Sequence, residues 1–328
     1  MIRALFHAPG KPLRIDVPAE EFQRLLVIDG GVLWVDFAGE PPEVCEPILR
    51  AFGFHHLPID DALRQTHVPK VDDWGEYLYI VLNALLPTSG EGGYTPEISE
   101  LDVFLGSRYV ITHHDQAFAA VEETWAACQR DQRHLEGGPD HLLYRLLDLL
   151  VAGYMPLVED IDQRLDVVED QIFERPAPAT LEIIFGLKRL LLAMRRILLP
   201  QREVLNKLAR DDYRVIDPKD RVFFRDIYDH LVRLHDLNES LRDLVSGALD
   251  SYLSVINNRL NEVMKTLTLI TTVFMPITFI TGFFGMNFFG PVANLEGWTA
   301  RAAFLLTLVI LAVLPVGMYA WLQRRFSV

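Results

Sequence analysis

Gly285-Met286-Asn287 lies inside a run, residues 266 to 295, that contains no Asp, Glu, Lys or Arg. An asparagine carbonyl is a neutral, hard oxygen donor, and a ring of such carbonyls would hold a hydrated divalent cation through its waters. That chemistry suits Mg²⁺, which sheds its hydration shell reluctantly. Glycine at 285 permits a backbone conformation that other residues resist, at a point where the last helical carbonyls lack partners. Read alone, the tripeptide is better taken as an ordinary helix C-cap followed by a turn, so its setting must decide.

Upstream, Asn261, Met264, Leu267 or Thr268, Thr271, Met275, Thr278 and Gly282 recur at separations of three and four. That spacing puts them on one face of a helix. The face mixes small, hydroxyl and thioether side chains and carries no charge. Turned inward by several identical helices, it would alternate hydroxyl rings with narrow apolar rings able to gate by dewetting. Small and hydroxyl residues also serve plain helix–helix packing, and on the stripe alone both readings stand.

The element that carries the stripe is long. No proline occurs from Lys219 to Met275, and apolar residues recur at Leu231, Leu234, Leu241, Leu244, Leu249, Tyr252 and Ile256. The pattern predicts one helix from about 219 to 284, roughly 100 Å in length. Such a rod cannot fold back into one globule, and a symmetric bundle would give it company along its length. Its last part, Thr266 to Phe284, is long enough to cross the hydrocarbon core, which needs about 20 apolar residues. A second uncharged run, Ala302 to Gln323, ends at Arg324 and Arg325. Lying at the C-terminal side, neither fits a cleaved signal peptide. Lys265 precedes the first span and Arg324 and Arg325 follow the second, while only Arg301 lies near the loop between them, which predicts that both termini are cytoplasmic.

The preceding residues read as mixed α/β. Leu33–Phe37, Tyr77–Leu82, Leu101–Leu105 and Tyr109–Thr112 are β-prone, the last two paired across Gly106-Ser107, with helices near 41–52 and 116–133 to cover them. From Asp140 the apolar spacing turns helical, through Leu142–Phe173 and Leu181–Leu208, with breaks at Gly137-Gly138-Pro139 and Arg175-Pro176-Ala177-Pro178. The expected organisation is an α/β domain over 1–138, a helical hairpin over 139–217, and a stalk helix over 218–284 whose span starts near 266. An external loop over 285–301, a second span over 302–323 and a basic tail over 324–328 complete it.

A formal charge of −14 argues against nucleic acid and against a polybasic lipid-binding surface, and leaves cations as partners. Cys45 and Cys128, the only cysteines, give no disulfide framework and suit a reducing compartment. No phosphate loop, nucleophile or metal-hydrolase motif is present, which argues against an enzyme. The tract Glu159, Asp160, Asp162, Asp166, Glu169, Asp170 and Glu174 reads as a solvated helix face. His55-His56 and His113-His114 are adjacent pairs directed to different sides, without zinc-site spacing, and read as structural.

Asn261-Glu262-Val263-Met264-Lys265-Thr266-Leu267-Thr268, continuing through Phe274-Met275-Pro276-Ile277-Thr278-Phe279-Ile280-Thr281-Gly282 to Phe283-Phe284-Gly285-Met286-Asn287-Phe288, resembles the pore helix of the CorA family of divalent-cation channels. Arg225-Asp226-Ile227-Tyr228-Asp229-His230, and Leu57-Pro58-Ile59-Asp60-Asp61-Ala62-Leu63 with Pro69-Lys70-Val71, resemble two further segments of that family. The resemblance implies an α+β membrane protein: an N-terminal cytosolic α/β/α domain, a long stalk and pore helix, and two C-terminal transmembrane helices. It further implies a funnel-shaped homopentamer in the bilayer of the cell (inner) membrane. Gly285, Met286 and Asn287 would form the selectivity filter, and the stripe would line the pore. Mg²⁺ would be both the transported and the regulatory ion, with Co²⁺, Ni²⁺ and Zn²⁺ as further ions and no other cofactor.

By motif position, Asp61, with Asp60 beside it, would meet Asp226 of a neighbouring subunit and bind regulatory Mg²⁺. Carboxylates brought together repel unless a cation lies between them, so the ion would join subunits and its loss would loosen them. The outer loop departs from the family. Where an acidic Met-Pro-Glu-Leu segment is expected, this chain has Phe288 to Gly297, with Glu296 as the only acid. A weaker acidic ring concentrates cations less. Zinc-handling relatives share the architecture and differ around this loop, though they commonly depart from Gly-Met-Asn as well. A Zn²⁺ transporter and a membrane-tethered sensor without conduction are therefore the alternatives.

Overall fold

Val32-Leu33-Trp34-Val35-Asp36-Phe37 is buried throughout, as a strand covered on both faces requires. It belongs to a seven-stranded sheet in the first of two units, Met1–Asp250 and Ser251–Val328. The computed structural model describes residues 1–64, 68–86, 97–285 and 301–326.

In chain order, β1 (Ile2–His7) and β2 (Arg14–Ile15) are followed by α1 (Phe22–Leu25), β3 (Val32–Ala38), α2 (Pro42–Ala51) and α3 (His56–Arg64). Then come β4 (Lys70–Asp73), β5 (Tyr77–Leu86), β6 (Glu97–Gly106) and β7 (Tyr109–His114), with α4 (Ala119–Arg130) and α5 (Arg133–Glu136) after them. The strand order is β2-β1-β3-β7-β6-β5-β4, antiparallel except where β3 runs parallel to β7. That parallel join is what α2 and α3 make possible, because parallel neighbours need a crossover over one face.

Alternation along β3 sorts its side chains. Leu33, Val35 and Phe37 face the core formed with Cys45, Leu49, Phe54 and Ile59 of the α2–α3 layer. Trp34 faces α4, its ring 4.9 Å from that of Trp125. Asp36, on the same side as Trp34, is fully buried and gathers three partners from the two neighbouring strands. Arg3 Nε of β1 donates to Asp36 Oδ2 at 2.9 Å, and Thr112 Oγ1 of β7 donates to Asp36 Oδ1. His114 Nε2 lies 3.2 Å from Asp36 Oδ1, out of hydrogen-bond alignment, so that attraction is one of charge. Arg3 also forms two hydrogen bonds with Glu122 and lies over the Trp125 ring at 4.3 Å.

These contacts tune the charges. Burial alone would push the Asp36 carboxyl up, but His114, Thr112 and Arg3 hold it below the usual carboxylate range. Burial would likewise lower His114, yet Asp36 keeps it raised.

Three helices fill the region read as a hairpin: α6 (Pro139–Ala152), α7 (Tyr154–Glu174) and α8 (Pro178–Arg210). The stretch 142–173 parts at Gly153, so α6 packs on β6 and β7 while α7 and α8 form the hairpin proper. Pro139 and Pro178 stand in the first helical turn, where a missing N–H costs nothing. On α7 the acidic tract faces outward, with Asp160 half-buried and paired to Arg164.

Helix α9 (Arg221–Gly285) runs unbroken for 65 residues, and α10 (Arg301–Phe326) for 26. Residues 139–174 and 221–283 both contain a window apolar enough for a membrane, but 44% of the first window is buried against 0% of the second. The first is therefore core, and no residue of the second window is fully buried among the described residues. In the second unit the less exposed residues of α9 fall at Leu269, Thr272, Val273, Pro276, Ile277 and Ile280, and those of α10 at Thr307, Leu311, Leu314, Pro315 and Met318. Each set recurs at helical spacing, so each helix has one shielded and one open face.

Candidate functional site

On α9, Asn261, Met264, Leu267, Thr268, Thr271, Met275, Thr278 and Gly282 are all exposed in the single chain. They lie roughly 140° around the helix from its shielded face. Nothing stands within 4 Å of the space a side chain at Gly282 would take. Met275 is 65% exposed, far more than a soluble core helix tolerates.

The hydroxyls of this helix share one arrangement. Thr268 Oγ1 donates to the Met264 carbonyl at 2.7 Å, Thr271 to Leu267 at 2.9 Å and Thr278 to Phe274 at 3.0 Å. Thr266, Thr272 and Thr281 do the same off the stripe. Each hydroxyl hydrogen is thus turned back onto the helix, and the oxygen presents lone pairs outward. Waters around a cation point their hydrogens away from it, so acceptors of this kind suit a hydrated cation. Pro276 removes one helical donor and leaves the Thr272 carbonyl without its i+4 partner. Gly285 is the last residue of α9, while Met286, Asn287 and Glu296 lie outside the described residues.

The carboxylates proposed for regulation are held differently. Asp60 and Asp61 sit on α3, an amphipathic helix whose Ile59 and Ala62 are buried. Asp61 Oδ2 accepts a hydrogen bond from Lys70 Nζ at 2.7 Å, and Lys70 reaches Asp72 Oδ2 at 3.0 Å. Asp60 accepts from Arg64 at 2.9 Å, and Arg64 also binds Glu46 at 3.0 Å. Burial works to lower the Lys70 ammonium, but the hydrogen bonds it donates to Asp61 and Asp72 prevail and raise it, so it stays charged. The Lys70 ammonium also lies 5.2 Å from the Tyr79 ring centre, and Tyr79 donates to buried Asp102 at 2.6 Å.

Asp226, in the first turns of α9, is exposed and has no ion-pair partner among the described residues. The set is one of hard carboxylate oxygens, which fits Mg²⁺. Among the described residues no three His, Cys, Asp or Glu side chains gather at metal-binding range. Among the described residues, Asp61 and Asp226 of one chain therefore belong to no three-ligand metal cluster.

Two histidine pairs behave differently from each other. His113 and His114 on β7 go to opposite faces, His113 Nδ1 3.6 Å from Asp102 and His114 toward Asp36. His55 and His56 do not diverge: their rings lie 4.2 Å apart, and His55 stacks on Trp74. His55 is still in the loop that enters α3, so neither strand nor helix alternation applies. Lys70 is the residue of this site that spacing did not single out, although Pro69-Lys70-Val71 carried part of the family resemblance.

The fold and the sequence both match known transporters. Residues 29–324 match the family described as CorA-like Mg²⁺ transporter protein. The cobalt/magnesium transport protein CorA of Thermotoga maritima is 36% identical over 261 residues, 78% of this chain and 73% of that one. YfjQ of Bacillus subtilis is 34% identical over 294 residues, 89% of this chain and 88% of that one. The zinc transport protein ZntB of Pectobacterium atrosepticum is 24% identical over 258 residues, covering 78% and 76%. Among solved structures, the complete CorA magnesium transporter of Methanocaldococcus jannaschii superposes with a TM-score of 0.82 at 21% identity, over 99% of this chain and 98% of that one. A sheet-and-helix N-terminal part joined to a long helix, matched in both sequence and fold over most of its length, places this chain in the CorA-like Mg²⁺ transporter family.

Proposed function

We propose that the chain is one subunit of a homopentameric divalent-cation channel that takes up Mg²⁺, and also Co²⁺, across the cell membrane. The observation that carries the reading is the uncharged, exposed stripe on α9, leading directly into Gly285-Met286-Asn287. Five copies would turn the stripe inward, with Asn287 as the outer ring and Thr268, Thr271 and Thr278 as acceptor rings for the ion's waters. Residues 266–284 and 302–323 would span the bilayer, with both termini cytoplasmic. No step calls for an enzyme.

Zn²⁺ transport is the second reading, favoured by the ZntB relative and by the single acid, Glu296, in the outer loop. The intact Gly-Met-Asn ranks Mg²⁺ first. Reconstitution of the full chain in liposomes carrying a cation-sensitive dye separates the readings. Mg²⁺ and Co²⁺ influx without a pH gradient is expected; Zn²⁺ influx that needs a proton gradient would favour the second reading, and no flux of any ion would leave a sensor.

Cytosolic Mg²⁺ bound between Asp61 of one subunit and Asp226 of the next would hold the closed state, with Asp60 adding to the local negative charge. Asp61→Asn combined with Asp226→Asn is expected to raise the internal Mg²⁺ needed for half-inhibition of flux by about tenfold, within the usual range of coupling between sites. Inhibition at the unchanged concentration would remove these residues from the regulatory role.

A further inference from the structure

The Asp61 carboxylate is already engaged inside its own chain. β4 is the edge strand of the sheet, and its residues Lys70 and Asp72, two apart, share one face of it. The register against β5 places Lys70 opposite Val81 and Asp72 opposite Tyr79, and α3 brings Asp61 to the same ammonium. Lys70 is therefore fixed between two carboxylates at 2.7 and 3.0 Å, only 30% exposed. Such a pair is better shielded from water than a surface salt bridge, and more of its attraction survives.

We propose that the Lys70 ammonium is a resident counter-ion of Asp61 and competes with the regulatory divalent cation for that carboxylate, so helping to set the concentration at which the site fills. The inference rests on the Asp61 reading given above. A monovalent ammonium gives way to a divalent ion that gains a second carboxylate from Asp226 of the neighbouring subunit, but only once that ion is abundant. Lys70 thus weakens the site in a useful direction: a bare pair of acids would stay filled at low Mg²⁺ and could not report its fall. Asp72 tempers the effect by drawing the same ammonium away.

The test is direct Mg²⁺ titration by calorimetry on the full-length protein in detergent, following the binding component that Asp61→Asn removes. A carboxylate occupied nine-tenths of the time by its lysine binds about tenfold more weakly than the same carboxylate without that lysine. Lys70→Met is expected to lower the half-saturating Mg²⁺ of that component by about this factor, and Asp72→Asn to raise it. Lys11→Met is the control, because it removes the same charge from the segment between β1 and β2, at the opposite sheet edge, and is expected to leave the component in place. An unchanged or weakened component in Lys70→Met, or an equal shift in Lys11→Met, overturns the competition. If Asp61→Asn removes no component, the Asp61 reading fails and this inference with it. If Asp61→Asn removes one that Lys70→Met leaves unmoved, only the inference fails.

Discussion

Asn287→Ala is expected to abolish Mg²⁺ uptake in a strain that lacks its own Mg²⁺ transport, while the protein still reaches the membrane. The substitution acts once in the sequence but five times in the proposed assembly. In that assembly each asparagine lost would remove a carbonyl acceptor for an ion-bound water, worth about 1 kcal/mol net. Five together amount to about 5 kcal/mol, between three and four powers of ten in ion capture. Residual apolar contact cannot replace them, because a methyl group offers no acceptor. Asn287→Asp separates chemistry from geometry: it keeps the oxygen, adds charge, and is expected to retain ion capture with altered selectivity. Growth and ion uptake equal to the unsubstituted protein in Asn287→Ala would dismiss the filter.

Asp36→Asn is expected to cost the sheet-bearing unit about 3–5 kcal/mol, the range for removing one partner from a buried ion pair. The carboxylate serves Arg3, Thr112 and His114 at once. An amide in its place turns a donor toward one of those three and leaves a buried cation short of its counter-charge. Against a total stability of order 5–15 kcal/mol this is a large share. The thermal midpoint should fall by about 10 °C, whereas Asp131→Asn, which breaks an exposed pair with Arg133, should leave it where it was.

The same cluster gives a pH signature. The folded-state pKa of His114 is raised, so its contribution is fully present below its unfolded value near 6.5 and is lost as pH climbs through the folded value. Asp36 is depressed, so its contribution is present above the usual carboxylate value near 3.9 and is lost as pH falls through the folded value. The midpoint of the unsubstituted protein should therefore decline on the alkaline side of pH 6.5. Asp36→Asn should flatten that decline, and an identical alkaline slope in the variant would detach His114 from Asp36.

The strands that sequence announces are those whose neighbours are all apolar. β3, β5, β6 and β7 contain runs such as Leu33-Trp34-Val35 and Tyr77-Leu78-Tyr79-Ile80, as burial on both faces favours, with buried polar residues such as Asp36 and Asp102 paired across strands to Thr112 and Tyr79. β1 escaped that reading because Arg3 interrupts it, and Arg3 is tolerated only through Asp36, Glu122 and Trp125, which are 33 or more positions away. β4 escaped because Lys70, Asp72 and Asp73 make it a charged edge that only β5 extends into a ladder. The stripe on α9 was legible for the converse reason: a single helix needs no distant partner to define its faces. Asp61 could be located by motif, but its engagement by Lys70 depends on how α3 and β4 meet, which no spacing encodes.

The threonines of α9 carry one more consequence. A proton moves along a chain of hydroxyls only if each accepts from one side and donates to the other, relay fashion. Thr268, Thr271 and Thr278 have already committed their hydrogens to the carbonyls of Met264, Leu267 and Phe274. To pass a proton, each would first have to break that bond and rotate. In the proposed pore the stripe would thus dress a hydrated metal ion while making a poor wire for protons, so that an uncharged path would keep metal flux and acid leak apart.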